Sequence, residues 1–204
     1  MESAAIAHGH GHAEHHGPPI AHQSSRIDAQ LLGVLLFIIS EAMLFGSFFT
    51  AYFFIRVVGN EQWPPHPFEF PVNVALMNTF ILVFSSFVVH WALVSIKRNR
   101  RFGLVAGLAL TLVLGLTFLG LQMREYHALG FVPSDGAFPS TFFALTGLHG
   151  MHVFVGATLL FIAFVRAARG RYSAAHHIGL EVTGLYWHFV DVVWILLYTV
   201  VYLI

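Results

Sequence analysis

Five apolar runs, at residues 29–58, 72–96, 102–123, 139–165 and 178–204, constrain this 204-residue chain more than any other feature. Each is long enough to cross a hydrocarbon core as a helix, which takes about 20 residues. The expected fold is therefore all-α: a polytopic membrane protein with five transmembrane helices. All eight prolines fall outside the interiors of the runs. The helices should be mostly unbroken, which argues against a transporter built on unwound half-helices. A hydrophobic content of 57%, only 10% charged residues and a mean hydropathy of +0.73 agree. With a formal net charge of zero there is no basic field to attract a nucleic-acid partner. The absence of cysteine excludes disulfides, thiolate metal sites and cysteine nucleophiles.

Residues 1–25 form a low-complexity tail carrying His8, His10, His12, His15, His16 and His22, expected to be disordered and assigned no site. No apolar segment precedes Leu31, so no cleavable signal peptide is expected. Residues 26–204 then form a single five-helix domain. Lys97, Arg98, Arg100 and Arg101 join the second and third runs, and Arg166, Arg169 and Arg171 join the fourth and fifth. Basic loops mark the cytoplasmic side, which places the N-terminus inside and the C-terminus outside. The other two loops carry Glu61, Glu69, Glu125 and Asp135, with Trp63 and Tyr126 near the outer interface. No internal repeat of the kind inverted-repeat carriers show is visible.

Ionisable residues within such runs cost about 2.5 to 3.5 kcal/mol each on insertion scales, so each one marks a partner, a cavity or a function. Glu41 lies mid-run, with Phe37, Phe45, Phe48 and Tyr52 on its helical face. A carboxyl among aromatic rings is poorly solvated and should react readily with hydrophobic carbodiimides. It reads either as a proton-exchanging or lipid-ligating acid or as a group hydrogen-bonded to a neighbouring helix. His149 and His152 are three apart and share a face of the fourth run, and Gly147, Gly150 and Gly156 allow close helix approach there. In the fifth run Glu181, Gly184, His188 and Asp191 fall on one side, which cannot face lipid tails. His188 and Asp191 read as a structural polar pair satisfied by other helices. A buried acid, two histidines and a His/Asp pair together suggest one polar pocket between helices, suited to a lipid headgroup or ordered water. His90 lies near the cytoplasmic edge, and Gln122, Glu125 and Tyr126 read as polar residues closing the third helix at the outer interface.

These motifs resemble subunit III of the haem–copper oxidases, the respiratory terminal oxidases that reduce oxygen to water. The residues that carry the resemblance are Ser40-Glu41, Gln122 with Glu125-Tyr126, Ser134-Asp135-Gly136, Ser140-Thr141-Phe142-Phe143, Thr146 to Val153, Glu181, and Tyr186 to Trp194. They run in the family's order from about residue 28 to the C-terminus, and the chain is similar to the compact five-helix bacterial version. The resemblance implies a non-redox accessory subunit with no active site, haem or copper of its own, those groups lying in partner subunits. It implies packing on the catalytic subunit I in a complex with subunit II, phospholipid held in a V-shaped cleft, support of sustained turnover and proton uptake, and a bacterial plasma membrane. It also implies that Glu41 is the family's carbodiimide-reactive acid and that His149, His152, Glu181 and His188 line or brace the lipid cleft. Glu41 and Tyr186-Trp187 lean toward the cytochrome c branch, and the His-rich tail leans toward quinol oxidases. A relative attached to nitric oxide reductase, a haem cytochrome using His149 or His152 with His188, and a proton-linked transporter using Glu41 stand as alternatives.

Overall fold

The computed structural model describes residues 29–59, 72–174 and 176–204; the His-rich tail and the loop with Glu61, Trp63 and Glu69 lie outside them. Five long helices account for most of the described residues: α1 Ala29–Val58, α2 Val72–Lys97, α3 Arg101–Ala128, α4 Ala137–Ala168 and α5 Ile178–Tyr198. A 3-10 turn, Pro133–Asp135, precedes α4, and a π turn, Thr199–Leu203, continues α5. All five helices are long and apolar enough to cross a membrane, and no strand occurs among the described residues. The all-α, five-span architecture is thus the observed one.

Two boundaries differ from the apolar runs. α3 continues through Gln122 and Glu125 to Ala128, because both side chains are buried against other helices rather than ending the helix in water. α4 begins at Ala137, ahead of Pro139. In the first turn a missing N–H sacrifices no helical hydrogen bond, so the proline is tolerated there. At the opposite end, Arg101 Nη2 donates to the Gly170 carbonyl at 3.2 Å, bringing the two basic connections together at one pole.

Helices α2, α3, α4 and α5 close a ring in which each packs on the next and α5 returns to α2, while α1 lies outside against α4 and α5. Between helices in lipid there is little hydrophobic drive, so close packing and hydrogen bonds hold the ring. Its centre is filled by α5. Trp187, fully buried, sits where a Cβ at Gly115 of α3 would come within 2.6 Å of its ring and one at Gly156 of α4 within 2.9 Å. Its Nε1–H donates to Ser85 Oγ of α2 at 2.9 Å, so one indole touches three other helices. Seven residues on, Trp194 repeats the arrangement, donating to Thr79 Oγ1 of α2 at 3.0 Å and packing on Phe118 of α3 and His149 of α4. Tyr202 follows after eight residues, and the slower winding of the π turn returns it toward the same side. There it contacts Glu125 of α3 and Phe142 of α4.

Only one of the three glycines expected to give close approach does so. Gly156 seats Trp187, whereas a Cβ at Gly147 or Gly150 would meet nothing within 4 Å. Those two face a groove of about 350 Å³ between α3 and α4, walled by Leu119, Met123, Met151 and Phe154.

Candidate functional site

The outer helix α1 is fastened to the ring through its carboxyl. Glu41 Oε2 lies 2.9 Å from His152 Nε2 of α4, with side chains 17% and 7% exposed. The other imidazole nitrogen, Nδ1, lies 2.7 Å from the Leu148 carbonyl. A carbonyl can only accept, so Nδ1 carries a hydrogen. Nε2 then either accepts from a protonated Glu41 or, as imidazolium, donates to its carboxylate. Either way the pair holds one shared proton and no net charge, which keeps an acid and a base affordable inside a membrane. Aromatic rings enclose it: Phe45 packs on His152 with centroids 4.9 Å apart, Phe37 lies 6.1 Å from Tyr186, and Tyr186 Oη donates to the His152 carbonyl at 3.4 Å.

The side of α5 that could not face lipid faces α2. At the basic pole Lys97 Nζ pairs with Glu181 Oε1 at 2.7 Å, and His177 Nε2 lies 3.3 Å from the same oxygen. Next, a Cβ at Gly184 would come within 2.9 Å of Leu93. Deeper still, Ser86 Oγ lies 3.0 Å from His188 Nδ1 and donates to Asp191 Oδ2. His188 and Asp191 are thus joined through a serine of the neighbouring helix. A groove of about 300 Å³ opens beside this stripe, lined by His90, Leu93 and Lys97 of α2 and Glu181, Leu185 and His188 of α5.

His149 goes elsewhere. It is 1% exposed, stacked on Trp194 at 5.1 Å and met edge-on by Phe118 at 5.8 Å, inside the ring. Although three residues apart, His149 and His152 therefore face different neighbours. The expected polar residues occupy separate places: Glu41 with His152 at the α1–α4 seam, His188 with Asp191 on Ser86, Glu181 on Lys97, and His149 in the core. They do not form one pocket, because each partner helix takes up the polar groups on its own side of the bundle. Among the described residues, no three His, Asp or Glu side chains converge as a metal centre would require.

Sequence reasoning missed two features. Ser86 carries no signal of its own, being a serine in an apolar helix. Gln122 and Glu125, which read as polar residues closing the third helix, are each 3% exposed, and Tyr202 Oη donates to Glu125 Oε1 at 2.8 Å. Nearby, Tyr126 Oη donates to Thr146 Oγ1 at 2.9 Å. The available signal was spacing: Gln122, Glu125 and Tyr126 lie on one helical face, and the last run carries a tyrosine able to meet them.

Comparison with known proteins gives one consistent result. The family described as cytochrome c oxidase subunit III matches residues 16–204. A cytochrome c oxidase subunit 3 of Thermostichus vulcanus is 41% identical over 197 residues, 95% of this chain and 98% of that protein. Those of Equus caballus and Dugong dugon are each 41% identical over 177 residues, 83% of this chain and 67% of theirs. This chain belongs to the cytochrome c oxidase subunit III family.

Proposed function

We propose that the chain is the non-redox accessory subunit of a proton-pumping haem–copper terminal oxidase in a bacterial plasma membrane, packing on the catalytic subunit I and assembling with subunit II. It holds phospholipid and supports sustained turnover and proton uptake, while haem and copper reside in the partner subunits. Electrons come from cytochrome c. The observation that carries this reading is the family match across nearly the whole chain, and the geometry agrees with it. Four of the intramembrane acids and imidazoles are hydrogen-bonded to neighbouring helices, at Glu41–His152 and Ser86–His188–Asp191. The haem alternative asks His149 or His152 to face His188, yet His152 is engaged by Glu41 and His188 by Ser86.

Two further observations support the lipid and orientation readings. The groove beside Glu181 and His188 is apolar along Leu93 and Leu185, with Lys97 at one end. That combination suits an acyl chain with an anionic headgroup near the lysine. The two basic connections share one pole, which supports the reading that this pole, with the N-terminus, lies on the cytoplasmic side.

Purification of the native complex through a tag on this chain tests the reading. Co-purification of subunits I and II, phospholipid retained in native mass spectrometry, and a haem–copper spectrum are expected. Recovery of the chain without any oxidase subunit contradicts it.

A further inference from the structure

We propose that Asp191 is a reversible proton-binding site, loaded from the groove beside Lys97 through His188 and Ser86. Asp191 is 3% exposed and does not itself line the groove, whereas His188 does. Ser86 of α2 bridges them, its Oγ lying 3.0 Å from His188 Nδ1 and hydrogen-bonded to Asp191 Oδ2. The second carboxylate oxygen, Oδ1, is buried without a partner and offers no other route.

A serine hydroxyl has one hydrogen and can accept as well as donate. With Asp191 ionised, Ser86 donates to Oδ2 and accepts from Nδ1–H of His188. The neutral imidazole then presents its lone pair at Nε2, the nitrogen left for the groove. A proton arriving there from water at the polar Lys97 and Glu181 end of the groove makes the imidazolium. Nδ1 passes its proton to Ser86 Oγ, and Ser86 passes its own to Asp191 Oδ2. The products are a neutral His188 with its hydrogen on Nε2, a Ser86 hydroxyl donating to Nδ1, and a protonated Asp191 donating to Ser86. One proton has entered, both hydrogen bonds have reversed direction, and neither has been lost. The reverse sequence releases the proton to the same side.

Other titratable groups nearby fit this one-sided path. From α2, His90 lines the same groove as His188, and Lys97 sits at the groove's end with Glu181 of α5. Glu41 of α1 is engaged with His152 of α4, and Glu125 of α3 with Tyr202, so both acids are occupied elsewhere. The site stands on this chain's own geometry and holds whichever complex the chain joins.

Infrared difference spectroscopy of the full chain in lipid nanodiscs, after a pH jump, tests the proposal. The chain has three aspartates, and among the described residues Asp191 alone lies within one of the five long helices. Carbon-13 labelling of aspartate picks out the aspartate carboxyl bands, and the one that Asp191→Asn removes is its protonated-carboxyl band. That band should grow on acidification. In Ser86→Ala the acid remains but the relay is cut, and band growth should slow on the order of 100-fold, the usual contribution of a positioned acid–base group. Ser86→Thr, which keeps a hydroxyl, should restore the rate. If Ser86→Ala does not fold, His188→Phe should show the same slowing. Absence from the unmodified chain of a label-sensitive, pH-dependent band that Asp191→Asn removes overturns the proposal, as does growth of that band at the unmodified rate in either relay variant.

Discussion

Glu41 and His152 show how a charged pair becomes tolerable in a span: the bond from Nδ1 to the Leu148 carbonyl fixes one hydrogen, leaving a single proton for the pair to share. Glu41→Ala removes the acid and leaves Nε2 facing aromatic rings. A buried polar group left without its partner costs about 1–3 kcal/mol. Thermal unfolding of the variant should therefore begin at lower temperature. Initial oxygen reduction by the assembled complex should stay nearly intact, with a shorter working lifetime, and complete loss of the first turnovers in a correctly assembled complex contradicts this. Glu41, His152, His188 and Asp191 were legible in the sequence because ionisable groups stand out among apolar ones. Ser86 was not. Serines and threonines in such helices usually bond back to their own helix, as Ser95 does to Trp91 and Thr111 to Gly107. Nothing local in the sequence marks Ser86 as a serine whose hydroxyl donates to another helix.

At the scale of elements, the ring depends on α5 presenting Trp187, Trp194 and Tyr202 to its three neighbours. Hydrophobic run lengths revealed the helices, but they could not reveal which glycine would seat an indole. That depends on partner side chains distant in sequence. Gly115→Ala and Gly156→Ala should each destabilise the chain by about 1–3 kcal/mol, the usual cost of overpacking. Gly120→Ala should be neutral or slightly stabilising, since its Cβ would meet nothing within 4 Å. Thermal unfolding in detergent distinguishes the two classes, and equal effects at all three positions contradict the proposed seat of Trp187. α3 extends beyond its apolar run for a related reason. Gln122 and Glu125 look like an end in water until Tyr202 is brought over them by the final turn of α5.

At the scale of the whole molecule, the described residues form a four-helix ring with a fifth helix fastened to one side. α1 buries Phe45 and Tyr52 but leaves Leu36, Ile39, Met43, Phe54 and Val57 exposed. The five spans and their apolar character were legible from the sequence; the ring closure was not, because it rests on long-range contacts such as Trp187–Ser85 and Ser86–Asp191. Asp191→Leu removes the acceptor on which Ser86 and the α2–α5 seam rely, so it should lower the yield of assembled complex while leaving the spectrum of whatever assembles unchanged. Assembly at the unmodified yield contradicts a structural role for this residue. Most directly, the acids and imidazoles of this chain are held to be helix fastenings and proton sites rather than ligands of a redox centre. The decisive measurement is the haem and metal content of this polypeptide after separation from the purified complex. All haem and copper should remain with the other subunits; a Soret band or stoichiometric metal travelling with this chain contradicts the claim.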